Sequence, residues 1–144
     1  MPENLLRTPT VVDALPKAEL HLHLEGSIRP ETAVELAARH GVSLTPSAVA
    51  ARFNYSDFAG FIDAFKWVTS LLRDPQDYAL ITRHLAGELI RQNVVYAEIT
   101  ISAGVMLRRM QNVEANFAAI CDAAESVPAR PLRTSWIFDA ARQW

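Results

Sequence analysis

The run Leu20-His21-Leu22-His23-Leu24-Glu25-Gly26-Ser27 constrains the fold of this chain more than any other stretch. Strict alternation is the signature of a β-strand, whose successive side chains point to opposite faces. It predicts His21, His23 and Glu25 along one face, at spacings of roughly 6–7 Å, with three leucines on the other. Leucines that pack under helices would make this a strand covered on both faces, as in a parallel sheet. Two imidazoles placed in this way can reach one metal ion. They form only part of a catalytic metal site, which takes three protein ligands and an open position. The other histidines do not complete the set. His40 ends a helical stretch beside Gly41 and His84 lies inside another, so both are expected to be ordinary surface or packing residues.

The order of elements places this strand in a sheet. Ser27-Ile28-Arg29-Pro30-Glu31-Thr32 starts a helix, with proline in the first turn and glutamate at the positive end of the dipole. That helix runs to about His40, where Gly41 supplies a left-handed stop. Thr45-Pro46 opens a short helix to about Arg52, Asp57 opens another, and Asp74-Pro75 caps a helix that continues to about Gln92, with Asn93 marking its end. Val94 to Ser102 is β-branched and reads as a second strand. A loop containing Met106, Arg108 and Arg109 follows, then a helix from Asn112 to Ser126 and a third strand from Pro131 to Asp139.

Strand, helices, strand, helix, strand implies an α/β fold with a parallel sheet under helices. The expected architecture is the N-terminal part, about three strands, of a TIM (β/α)8 barrel, a fold that typically needs ~250 residues. The whole of residues 1–144 is then one incomplete domain, with two open sheet edges through which it could self-associate. An open doubly wound sheet is the weaker alternative, because Gly26 lacks the other glycines of a dinucleotide-binding turn.

Composition narrows the function classes. Half of the 144 residues are hydrophobic, enough for a sizeable core, and the net charge of −2 with mixed signs excludes a basic nucleic-acid footprint. Cys121 is the single cysteine, which rules out an intrachain disulfide and every Cys-rich zinc pattern. It is expected to be a small buried residue on a helix. Met1 to Arg7 lacks the basic start and apolar run of a signal peptide, and no segment approaches the ~20 apolar residues of a membrane span. The expectation is a soluble cytoplasmic protein.

Two features leave alternatives open. Phe58, Phe61, Ile62, Phe65, Val68 and Leu72 form a continuous helical stripe. It suits a core face, and its three phenylalanines also suit an apolar wall over a flat heteroaromatic ligand. Glu98 suits either a polar layer inside a barrel or a pair with a basic residue.

The phrase Leu15-Pro16-Lys17-Ala18-Glu19-Leu20-His21-Leu22-His23-Leu24-Glu25-Gly26-Ser27, followed by Arg29-Pro30-Glu31-Thr32, resembles the adenosine deaminase family within the amidohydrolase superfamily. The Phe-rich helix and Val94-Val95-Tyr96-Ala97-Glu98 extend the likeness. The resemblance implies that His21 and His23 are metal ligands and that Glu25 is an acidic residue on the sugar side of the substrate. It also implies that Phe58, Phe61, Ile62 and Phe65 form a helical lid over a purine. The cofactor implied is one Zn2+, which lowers the pKa of water from about 15.7 to near 7 so that hydroxide can attack C6 and release ammonia.

In the family a later His and Asp complete the metal site, a later Glu protonates the ring and another His handles the water. These are expected beyond Trp144, so this chain alone is expected to be inactive. Ile99-Thr100-Ile101-Ser102-Ala103-Gly104 departs from the Arg-Tyr-Ser-Pro-type sequence of adenosine-specific members. The implied substrate is therefore a small aminopurine: adenosine, adenine, or a sugar-altered nucleoside such as aminodeoxyfutalosine. Two other readings compete. One is a truncated, non-catalytic deaminase-like protein that binds a partner chain. The other is a His-x-His hydrolase of phosphate esters, disfavoured because no basic cluster sits beside the motif.

Overall fold

The structure, a computed structural model, describes residues 11–127 and 132–139. Pro131, expected to begin the third strand, and the Met1–Arg7 segment lie outside the described residues. After a short helix α1 (Val11–Ala14), strand β1 spans Lys17–His23, and a 3-10 turn covers Glu25–Ser27. Helices α2 (Pro30–Arg39), α3 (Pro46–Arg52), α4 (Phe58–Thr69) and α5 (Pro75–Arg91) lead to β2 (Val94–Ile101). Helices α6 (Ala103–Arg108) and α7 (Val113–Glu125) then lead to β3 (Arg133–Phe138). The three strands form one sheet in the order β1-β2-β3, and both pairings are parallel. Sequential parallel strands joined by helices are the repeating unit of a βα barrel.

Side-chain caps fix most helix starts. Thr45 accepts a hydrogen bond from the Ala48 N–H, Asp57 from Gly60 and Asn112 from Ala115. Asp74 accepts from Gln76 and Asp77 in a full capping box, with Pro75 behind it. The stops follow the sequence as well: Gly41 and Asn93 both adopt the left-handed conformation, at φ 74° and 61°.

Packing separates the stripe of α4 into two parts. Val68 and Leu72 are buried in the main core with Leu24, Leu36, Tyr78, Ile81 and Ile101. Phe58, at 75% exposed, and Phe61, at 39%, stand away from it. Helix α5 carries the largest buried face, packing on α7 and β2. At about 1.5–3 kcal/mol for each fully buried aliphatic side chain, this face is the main anchor of the sheet.

Three expectations need correction. The segment after β2 is a helix, α6, and not a loop; its N-cap Ser102 makes no capping side-chain bond, so the usual start signal is missing. The alternation of the His run stops at His23, because Leu24 adopts the right-handed helical conformation and Glu25 falls in the 3-10 turn. Leu20 is 61% exposed and does not pack under helices. Leu20 lies on the same side as exposed Ala18. Just beyond it the register shifts: Glu19 pairs with Ala97 and Leu22 with Ile99, so β1 carries one extra residue there, after β2 has carried one against Lys17 and Ala18. Leu20 and His21 are consequently both exposed, and the half-buried side passes from Glu19 to Leu22.

Candidate active site at the carboxyl ends of the strands

The carboxyl ends of β1, β2 and β3 open into a cleft of about 940 Å³. In parallel α/β sheets this is the end at which ligands bind. His21 and His23 line it from β1, and Phe61, Ile62 and Phe65 face them from α4. The imidazole centroids are 5.5 Å apart, with planes tilted by 40°. Among the described residues, no hydrogen-bond or ion-pair partner engages either ring. The two rings are exposed and point where a ligand can reach them.

Glu25 and Phe58 do not join this lining. The Glu25 side chain is buried, with the residue only 1% exposed, and accepts hydrogen bonds from the Ser102 N–H at 2.9 Å and the Ser102 hydroxyl at 3.2 Å. Burial pushes its carboxyl above the usual carboxylate range, against the pull of the hydrogen bonds from its own backbone and from Ser102. It ties the end of β1 to the end of β2 behind the cleft, while Ser102 itself lines the cleft. Phe58 sits on the first turn of α4 with its ring 5.9 Å from that of Phe61. It supports the apolar wall from outside.

The sequence reading missed Ser102, Thr69, Lys66 and Asp139, all of which line the cleft. Asp139 is placed by backbone bonds: its N–H donates to Ile101, and its carbonyl accepts from Gly104. The basic character of Lys66, Arg108 and Arg109 is plain in the sequence, but only the fold brings α4 and α6 together. An Arg109 guanidinium N–H donates to the Lys66 carbonyl at 3.2 Å and joins the two helices.

The other histidines have partners elsewhere. His84 Nδ1 lies 3.0 Å from the Thr32 hydroxyl. His40 Nε2 lies 2.7 Å from Asp77, whose other oxygen accepts from Arg39 at 2.9 Å. Among the described residues, His40, Asp74 and Asp77 are the one group of three whose ligand atoms approach within 4.8 Å of one another. The Asp77 carboxylate also accepts from the Arg73 and Asp74 N–H groups, so it is saturated by protein donors. Burial would raise its pKa, but the bonds from the Arg73 N–H, His40 and Arg39 prevail and hold it below the usual range. This corner joins α2 to α5. Glu98 accepts from the Tyr96 hydroxyl at 2.9 Å, and half-buried Cys121 sits on α7.

The donor chemistry of the cleft suits a divalent metal in part. His21 and His23 offer two imidazole nitrogens with no competing protein partner among the described residues, as a zinc site requires.

The sequence profile of the adenosine deaminase family matches residues 16–130, which include both histidines, the wall of α4 and the rim of α6. The chain belongs to the adenosine deaminase family. It is 44% identical over 134 residues to an aminodeoxyfutalosine deaminase of Streptomyces avermitilis, covering 89% of this chain and 37% of that relative. Its fold matches the crystal structure of an adenine deaminase from Arthrobacter aurescens with a TM-score of 0.70 and 25% identity. That match covers 85% of this chain and 38% of the other. An amidohydrolase from Burkholderia ambifaria, determined with bound zinc, matches at a TM-score of 0.71 and 26% identity, over 93% of this chain and 39% of that one. The adenosine deaminase family chain described here therefore spans somewhat over a third of the proteins it matches. Its three-stranded parallel sheet is the corresponding part of their α/β barrel.

Proposed function

We propose that the protein is a metal-dependent deaminase of an aminopurine and that this chain contributes one side of its active site. The observation that carries the reading is the pairing of two unengaged imidazoles on β1 with the apolar wall of Phe61, Ile62 and Phe65 across one cleft. The named relative supports it.

In this reading His21 and His23 hold a divalent metal, with zinc the natural choice for two imidazoles. When bound, the metal supplies Lewis-acid activation of water near neutral pH. The remaining work of these residues is positioning. Phe61, Ile62 and Phe65 stack against the flat purine and exclude bulk water from the ring. Glu25, through Ser102, fixes the ends of β1 and β2 relative to each other, so that the imidazoles keep their spacing. Phe58 braces the wall. Residues that complete the metal site and move the protons are not among those described. The substrates proposed are adenine and aminopurine nucleosides, including those altered at the sugar, with aminodeoxyfutalosine favoured by the relative named above. No helix among the described residues is long and apolar enough to cross a membrane; the location proposed is the cytoplasm.

The test is ammonia release from adenine, adenosine and sugar-altered aminopurine nucleosides by the zinc-loaded intact protein. Deamination of at least one, abolished by chelation and restored by zinc, is the expected result. Stoichiometric zinc with no turnover of any aminopurine would overturn the reading in favour of a deaminase-like binding protein.

A further inference from the structure

Gly60 stands where helix α4 by itself gives no reason for a glycine. It lies in the first turn, and its N–H donates to the capping Asp57 carboxylate at 2.8 Å. A capping box would put a glutamate or glutamine here, to bond back to the cap, and glycine is the poorest helix former after proline. The reason lies outside the helix. A Cβ built on Gly60 would come within 2.9 Å of the Tyr55 Cβ, well inside the ~3.5–4.0 Å that suits two carbons. The obstructing atom adjoins the backbone, so it cannot swing aside as the far end of a long side chain can. The bare backbone of Gly60 is what lets the segment before α4 lie against its first turn.

That approach sets the Tyr55 ring 5.5 Å from the ring of Phe61, edge to face at 65°. Phe61 stands in the middle of a row of rings, with Phe58 at 5.9 Å and Phe65 at 6.4 Å. Those two neighbours belong to α4 itself, whereas Tyr55 reaches Phe61 from another segment. Phe61 is 39% exposed and lies outside the buried core, so core packing does not fix its ring. The Tyr55 hydroxyl makes no hydrogen bond among the described residues, and its contribution is the ring. The same segment is pinned to α4 a second time, where Phe53 packs edge-on against Trp67 at 6.1 Å and the Arg52 guanidinium lies 4.7 Å above the Trp67 ring.

Resting on the deaminase reading, we infer that Tyr55 is a positioning residue for the aminopurine, acting through Phe61, and that Gly60 is the small residue this contact requires. The edge-on ring of Tyr55 fixes the plane that Phe61 presents to the cleft. Without it the Phe61 ring turns about its own side-chain bonds, and the flat ligand loses part of its stacking surface. The imidazoles that hold the metal in this reading lie across the cleft on β1, so the activation of water does not depend on Tyr55.

The experiment uses the zinc-loaded intact protein and whichever of adenine, adenosine and aminodeoxyfutalosine it deaminates fastest. Tyr55→Gly and Gly60→Ala are each expected to raise KM about fivefold with kcat little changed, the size of one aromatic pair and the pattern of lost ground-state binding. Tyr55→Phe keeps the ring and is expected to match the wild type. In the Tyr55→Gly background, Gly60→Ala adds nothing further, because the Cβ it would meet is gone. Every variant should hold zinc as the wild type does, by competition with a chelator, and should melt cooperatively. Wild-type KM in both single variants, a fall in kcat at unchanged KM, or Tyr55→Phe as impaired as Tyr55→Gly overturns this inference and leaves the deaminase reading standing. Absence of deamination with every aminopurine overturns the deaminase reading, and calorimetry with adenine then decides this inference. Binding about fivefold weaker in Tyr55→Gly and Gly60→Ala, with Tyr55→Phe unaffected, supports it. Equal binding by all, or none by the wild type, overturns it.

Discussion

Two corners of the molecule bring imidazoles close to other ligand atoms, and they are completed in opposite ways. At the α2–α5 corner, His40 meets a carboxylate that already accepts from Arg39 and two backbone N–H groups, and the whole set is closed by protein. At the end of β1, His21 and His23 lie 5.5 Å apart and face an open cleft, with no such donors or acceptors around them among the described residues. Geometry alone would rank the first corner as the better metal site. The saturation of Asp77 shows why it is a clamp between helices: a carboxylate whose lone pairs are all in use has nothing left to give an ion. An imidazole without a partner is the more informative signal.

The sharpest way to break this contrast is to remove the cleft imidazoles together. His21→Ala/His23→Ala is expected to weaken zinc retention by 100-fold or more, measured by competition with a chromophoric chelator, since even outer-shell partners of metal ligands contribute about 10–100-fold. The metal-free melt should move by no more than an exposed substitution moves it, about 0.5 kcal/mol. Zinc retained at full strength would remove the distinction.

Asp77→Ala tests the opposite corner. It strands Arg39, His40 and the Arg73 N–H, and should cost about 3 kcal/mol in urea unfolding, with zinc affinity unchanged. Acid sharpens the same point. Because the folded-state pKa of Asp77 is depressed, its stabilisation is fully present above the unfolded value and is lost as pH falls through the folded value. The stability advantage of the wild type over Asp77→Asn should therefore shrink below about pH 4. A constant advantage down to pH 2 would contradict the assignment of the depressed pKa.

The smallest effect belongs to Gly41, which closes α2 directly after His40. Nothing lies within 4 Å of a Cβ built there, so Gly41→Ala meets only the backbone cost of φ 74°, about 1 kcal/mol. A larger loss would mean that the clamp depends on the exit path of α2.

Much of the architecture was legible because its punctuation is local. Thr45, Asp57 and Asp74 cap the helices they were expected to cap, and Gly41 and Asn93 take the conformations that their positions require. Of the cleft lining, the two histidines of β1 and the Phe61, Ile62 and Phe65 part of the α4 stripe were legible. What escaped was non-local. The hydroxyl of Ser102, which would have announced α6 as a cap, is spent on Glu25, and Glu25 leaves the strand face because the chain turns at Leu24. Periodicity shows that the α4 stripe is apolar, but only packing divides it into Val68 and Leu72 in the core and Phe61 and Phe65 at the cleft.

The extra residue in β1 has a consequence best expressed as parity. Which side of a strand a residue faces is an odd-or-even property, and one unpaired position reverses it for everything downstream. Were the alternation of Lys17 to Glu19 continued without that slip, Leu22 would take the exposed side and both imidazoles the half-buried side. The histidines therefore owe their exposed side to the slip between Glu19 and Leu22, which also cancels the opposite slip at Lys17 and Ala18 and returns the two strands to their starting offset. A chain shortened by Leu20 would pair evenly from Ala18 onward and still present them.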